Sequence, residues 1–165
     1  LAGSWLFRNN IIYQTHTTAF GETKSVLLSD NTKVTLNANS SLRVPRFGFG
    51  SKTREVLLTG EANFAVTHTP YHQKFVVRTD KGFEVVVLGT EFTVYSRQHR
   101  AKVVLNKGKV QLRYREGKIQ KQVVMKPGDL ITLDPGNHLN REVTKQPEKY
   151  AAWKDHRFEY HHTYL

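Results

Sequence analysis

Apolar residues recur at every second position through most of the chain. Between Thr18 and Leu133 the sets Val26/Leu28, Val34/Leu36, Val56/Leu58, Phe64/Val66, Phe75/Val77, Phe83/Val85/Val87, Phe92/Val94, Val103/Leu105, Val110/Leu112 and Leu130/Thr132 all step by two. That is the period of a strand with one buried face, and valine, threonine and phenylalanine suit such a pleated surface. Each run lasts about four to seven residues before a turn former interrupts it. The interruptions are Asp30-Asn31, Thr59-Gly60, Leu88-Gly89, Lys107-Gly108, Glu116-Gly117 and Pro127-Gly128. Glycine supplies positive φ in turns, aspartate and asparagine tolerate it, and proline presets the first corner. No amphipathic helix fits between Thr18 and Leu139. The pattern predicts an all-β fold.

The runs are also alike. Val26–Leu36, Val56–Val66, Val85–Val94 and Val103–Leu112 each place an apolar triplet before a turn and an alternating strand after it, and Met125–Leu133 is a reduced copy. Their turn positions 31, 60, 89, 108 and 128 step by 29, 29, 19 and 20 residues. Such spacing fits a β-solenoid-like stack or a rolled β-sandwich of short strand–turn–strand repeats. Antiparallel hairpins give the same pattern, so strand order stays open. On this reading Gly60, Gly89, Gly108 and Gly128 lie where the chain turns a corner and the next layer packs closely. The loop Pro45-Arg-Phe47-Gly-Phe49-Gly50 either presents its phenylalanines for recognition or tucks them under the sheet.

Composition narrows the class. At 165 residues the chain makes one ordinary domain or two very small ones. With 38% hydrophobic and 24% charged residues it falls among soluble globular proteins. The absence of cysteine excludes disulfides, thiolate zinc sites and a cysteine nucleophile. The balance of 25 basic against 14 acidic residues leaves a net charge of +11, which favours acidic partners. The basic residues, Arg54, Lys74, Arg78, Lys102, Lys107, Lys109, Arg113, Arg115, Lys118 and Lys121 among them, are spread out and alternate with apolar ones, as solvent-facing strand positions do. No run of like charges forms a nucleic-acid arm.

Candidate chemistry is sparse. His68 and His72 bracket a proline that blocks a helix, so their spacing does not place both imidazoles on one helical face. His16, His99, His138 and His156 have no partner at ligand spacing. Pro127-Gly128-Asp129 with His138 resembles half of a cupin metal signature, but the matching histidine half is missing. Asp80 with Glu84 and Glu55 with Glu61 are the possible carboxylate pairs, and a glycosidase would need such a pair facing across a cleft. There is no serine elbow and no glycine-rich phosphate loop. The residues therefore predict no enzyme, no metal and no cofactor. A basic nucleic-acid-binding β domain, or less readily a cupin-like metal-dependent enzyme, stands as the alternative. The phenylalanines fall in register with core valines rather than in a stacking stripe, so no nucleic acid is expected.

Five ordered segments bear a resemblance. Ser25–Leu42, Arg54–Val66 (with Gly60, Glu61, Phe64 and Val66), Phe75–Thr79 with Val87–Val94 (Gly89, Thr90, Phe92 and Val94), Val104–Leu112 (Gly108) and Met125–Asp129 (Pro127, Gly128 and Asp129) follow one another as in the FecR-type periplasmic domain. Tyr150-Ala-Ala-Trp153-Lys-Asp155 completes the set. These matched positions are turn glycines and core residues; they imply a fold and no binding site. The resemblance implies an anti-sigma regulator, held in the inner membrane by a single helix, with this β domain in the periplasm. Its implied partners are the signalling domain of a TonB-dependent outer-membrane receptor and, through a cytoplasmic segment not in this sequence, an extracytoplasmic-function sigma factor. The implied layout makes 1–17 the tail of a membrane segment and linker, 18–139 the β domain, and 140–165 a linker and the start of a further domain. From the residues alone, the apolar Leu1–Phe7 stretch suits either a membrane exit or an ordinary strand start. The alternation Phe158-Glu159-Tyr160 marks the expected partner-binding strand.

Overall fold

A computed structural model describes residues 13–154 apart from 52, 81 and 99. Its strands are β1 Tyr13–Thr17, β2 Lys24–Leu27, β3 Lys33–Leu36, β4 Ser41–Pro45, β5 Arg54–Val66, β6 Phe75–Thr79, β7 Glu84–Val87, β8 Thr90–Arg97, β9 Arg100–Lys107, β10 Val110–Glu116, β11 Ile119–Met125, β12 Asp129–Leu133 and β13 Leu139–Val143. One short 3-10 helix, Pro147–Ala151, follows. The all-β expectation holds.

Two sheets share β5. The first runs β1-β4-β5-β6-β7-β10-β11 and uses the front half of β5, where Leu57 and Leu58 face β4 and Arg54 to Leu58 face β6. The second runs β2-β3-β5-β8-β9-β12-β13 and uses the back half, where Gly60 to Val66 face β8. Only β5 and β6 pair in parallel among the described residues; the other ladders are antiparallel. Of the two arrangements the sequence left open, this pairing is that of the rolled sheet.

Gly60 corrects one detail of the sequence reading. It does not end a strand but sits inside β5 at φ +102°, where the strand passes from one sheet to the other. Even-numbered residues from Arg54 to Val66 stay buried on both sides of it. A side chain there would meet the Ser40 backbone, its Cβ falling 2.8 Å from Ser40 Cα.

The remaining corners follow the same logic. The hairpins β6–β7, β8–β9, β10–β11 and β12–β13 fall alternately in the first and second sheets, and Gly89, Gly108 and Gly128 stand at the crossings between them. Each hairpin of the later part takes 19 or 20 residues from crossing to crossing. The longer step before Gly89 holds half of β5, a loop and the β6–β7 hairpin. The corners are tight: a Cβ on Gly108 would lie 2.8 Å from the Gly89 carbonyl oxygen, and one on Gly128 would lie 2.9 Å from that of Thr144.

One apolar core lies between the sheets. Phe64 stacks on Phe92 with ring centroids 5.1 Å apart and meets Phe75 of the first sheet edge-on at 6.2 Å. All three rings are fully buried, and each such burial contributes roughly 1.5–3 kcal/mol. The outer face of the second sheet is covered as well. Lys154 Nζ reaches Asn63 Oδ1 at 3.2 Å and Glu91 Oε1 at 3.6 Å, Lys102 lies over the Tyr150 ring, and Ala151 is buried. Trp153 closes this turn on itself, its Nε1 donating to the Tyr150 carbonyl at 3.2 Å. Strands β1 and β13 carry the paired region to Tyr13 and Val143, on either side of the expected 18–139 unit.

Candidate interaction surface

The most polar part of the interior is built on Arg54, which the sequence reading had placed among solvent-facing cations. It is fully buried at the start of β5. The alternation puts it on the even, inward phase of the strand, and Phe75, its register partner in β6, lies 5.4 Å beneath the guanidinium. All five N–H donors are used. Nη1 donates to Asp30 Oδ2 at 2.7 Å and to the Thr67 carbonyl at 2.8 Å. Nη2 donates to the carbonyls of Gln73 at 2.6 Å and Leu88 at 3.0 Å, and Nε donates to Gln73 again at 3.2 Å. Asp30 also accepts from the Thr32 hydroxyl and amide, and Thr67 Oγ1 donates to the Asp30 carbonyl at 2.6 Å. Without those bonds a buried charge would cost several kcal/mol. With them it ties the β2–β3 turn, the loop 67–74 and the Leu88 corner together.

That loop carries the histidine pair. A turn closed by the His72 amide on the Thr69 carbonyl brings His72 Nδ1 to 3.0 Å from His68 Nε2. No helix forms here, as the proline predicts, and the turn brings the two imidazoles together by another route. His138 also has a partner that spacing alone hid, since its Nδ1 lies 3.2 Å from both oxygens of Asp134. Backbone amide donation by His138, with the imidazole adding to it, holds the Asp134 carboxyl below the usual range. Among the described residues no group of three or more possible metal ligands converges. The suggested carboxylate pairs are separate as well: Glu55 and Glu84 both face Arg78, Glu61 accepts from Asn37, and Asp80 meets Ser96.

Beside the Arg54 cluster the outer face of the first sheet forms an apolar groove of about 460 Å³. Val86, Leu88, Val124 and the Gly89–Gly108 corner line it, with His68, Lys74 and Lys109 at its polar rim. Arg54 holds the Leu88 carbonyl, so the buried cluster sets one wall of the groove. The adjoining hairpin β10–β11 carries Arg113, Arg115, Lys118 and Lys121 against one acid, Glu116. Composition announced this charge; the alternating pattern hid its concentration on one hairpin.

The remaining sequence candidates are scattered. Phe64, Val66, Phe92 and Val94 are core, Thr90 donates to the Lys109 carbonyl, and Asp129 is buried and paired with Arg141. Pro127 lies in the turn before β12, whose first residue is Asp129. Phe47 is exposed, whereas Phe49 packs edge-on against Phe75. Phe158, Glu159 and Tyr160 lie outside the described residues.

A rolled β-sandwich with an apolar, cation-rimmed outer groove defines a module suited to contact with other proteins. The model of the FecR protein family matches residues 14–111, more than half of the chain, and the chain belongs to that family. Two crystal structures of a putative anti-sigma factor from Parabacteroides distasonis ATCC 8503 share the fold, with TM-scores of 0.78 and 0.77. Each is 30% identical and covers 86% or 85% of this chain, and the chain spans 64% of their length. No curated protein sequence matches. Among the described residues no helix is long and apolar enough to cross a membrane.

Proposed function

We propose that this chain is the periplasmic signalling module of an inner-membrane anti-sigma regulator. It takes a signal from the signalling domain of a TonB-dependent outer-membrane receptor and passes it, through the rest of the protein, to an extracytoplasmic-function sigma factor. It acts by protein–protein contact and catalyses no reaction. The observation that carries this reading is the family match, extended by a likeness at 30% identity over most of the chain to an anti-sigma candidate. A basic surface suited to steering an acidic partner supports it.

The test is a sigma-dependent transcriptional reporter in cells carrying the full-length protein, paired with calorimetric titration of its complete periplasmic region against the receptor's signalling domain. Binding, and a reporter that loses its response when residues 13–154 are deleted, is the expected result. A reporter that responds normally to the deletion overturns the reading.

A further inference from the structure

Among the described residues, strand β11 forms one border of the first sheet and pairs with β10 alone. At seven residues it is the longest such border among the described residues, against five in β1, four in β2 and five in β13. A border strand offers a row of unpaired N–H and C=O groups that an added strand can take up. Ile119–Met125 contains no proline and keeps unbroken register with β10, so what guards this border is side chains alone. These are Lys121 within the strand, and Arg141, whose Nη2 donates to the Val124 carbonyl at 3.0 Å and which an incoming strand would displace.

This border opens onto the groove. Val124 lies opposite Gln111, and Gln111 lies opposite Val86, so a cross-strand row leads from β11 to the groove floor. Val124 and Leu88 remain 44% and 39% exposed. Around them the stretch from Lys107 to Lys126 carries seven cations, Lys107, Lys109, Arg113, Arg115, Lys118, Lys121 and Lys126, and a single acid. That acid, Glu116, is already paired with Lys121 at 3.2 Å. Lys74 adds a further cation at the groove.

We propose that β11 receives an extended, acidic segment of a partner protein as an additional strand of the first sheet. An apolar side chain of that segment lies over Val124 in the groove, and its carboxylates face the surrounding lysines and arginines. The charge selects the occupant. A second copy of this chain would bring the same basic border against itself, and like charges in opposition disfavour that pairing. The inference deepens the regulatory reading above and rests on it for the existence of a protein partner.

The probe is a capped peptide, Thr-Glu-Phe-Glu-Val-Glu-Thr, titrated into the isotopically labelled protein and followed by amide resonances. A control peptide has lysine in place of every glutamate. The acidic peptide is expected to shift the amides of Ile119–Met125, Val86 and Leu88, to bind more weakly as salt rises, and to outbind the control at least about tenfold. Val124→Lys, with β5 resonances unchanged as proof of folding, weakens binding by about tenfold or more. No shift, shifts centred on β1, β2 or β13, equal binding of both peptides, or dimerisation through β11 each overturn the proposal. A sigma-dependent reporter that still needs residues 13–154 after such a failure would remove this surface and leave the regulatory role intact.

Discussion

The guanidinium of Arg54 and the carboxylate of Asp30, 24 positions apart in the chain, meet at 2.7 Å where three connections of the sandwich converge. Both side chains are almost wholly removed from water. Lysine has three donors on a single atom and cannot span four acceptors that need a planar fork. Arg54→Lys and Arg54→Ala are therefore expected to lower unfolding free energy by about 3–5 kcal/mol, the cost of breaking a buried pair from one side. Urea denaturation measures it. A midpoint within error of the parent would show that the cluster does not hold the loops.

Gly60 and Gly117 both have positive φ, at +102° and +63°, but only Gly60 faces backbone within 3 Å. Gly117→Ala is expected to cost about 1 kcal/mol through strain alone. Gly60→Ala adds a clash with Ser40 and should cost at least about 2 kcal/mol more. Thermal denaturation of the two variants separates the contributions. Equal losses would mean that Ser40 yields freely.

Phe64 touches an aromatic ring in each sheet. Phe64→Ala should cost about 3–5 kcal/mol, as large-to-small changes at buried aromatics do. Tyr71→Ala, at a side chain 93% exposed, is expected to change stability by less than about 0.5 kcal/mol. Chemical denaturation of both variants checks the contrast.

Burial pushes the Asp129 carboxyl up, but the Lys126 amide and the Arg141 guanidinium outweigh it and hold the carboxyl below its ordinary value. A depressed carboxylate stabilises the fold above its unfolded value and loses that contribution as pH falls through the folded one. The difference in melting temperature between the parent and Asp129→Asn should be constant above about pH 5 and shrink below about pH 4. His16 acts in a higher window. Burial, helped by Lys24, lowers its proton affinity, so the unfolded chain takes up the proton first and stability drops as pH falls below about 6.5. His16→Gln should flatten that step; a melting profile that keeps it assigns the step elsewhere.

Much of the architecture was legible because two-residue periodicity survives wherever one strand face is buried. Val56, Leu58, Phe64 and Val66 kept phase across Gly60, which in hindsight marked a bend within one strand rather than a break. The alternation could not say which sheet each hairpin joins, since that depends on backbone geometry at Gly89, Gly108 and Gly128. Arg54 was misread because a charge on the inward phase becomes plausible only when its acceptors are known, and these come from positions 30, 67, 73 and 88. The His68–His72 contact was hidden for a related reason: a turn around a proline, closed by His72 at φ +54°, does what a helix would otherwise have to do.

Strand β5 has neighbours on both sides in both sheets: β4 and β6 along its front half, β3 and β8 along its back half. Neither sheet can peel away without severing the strand on which the other is built. The module should consequently lack a half-unfolded state, and the paired amides of β5 should exchange with solvent only through global opening while those of β11 and β13 exchange by local fraying. A domain of this construction does not transmit a signal by melting one layer. It moves, or is held, as a whole.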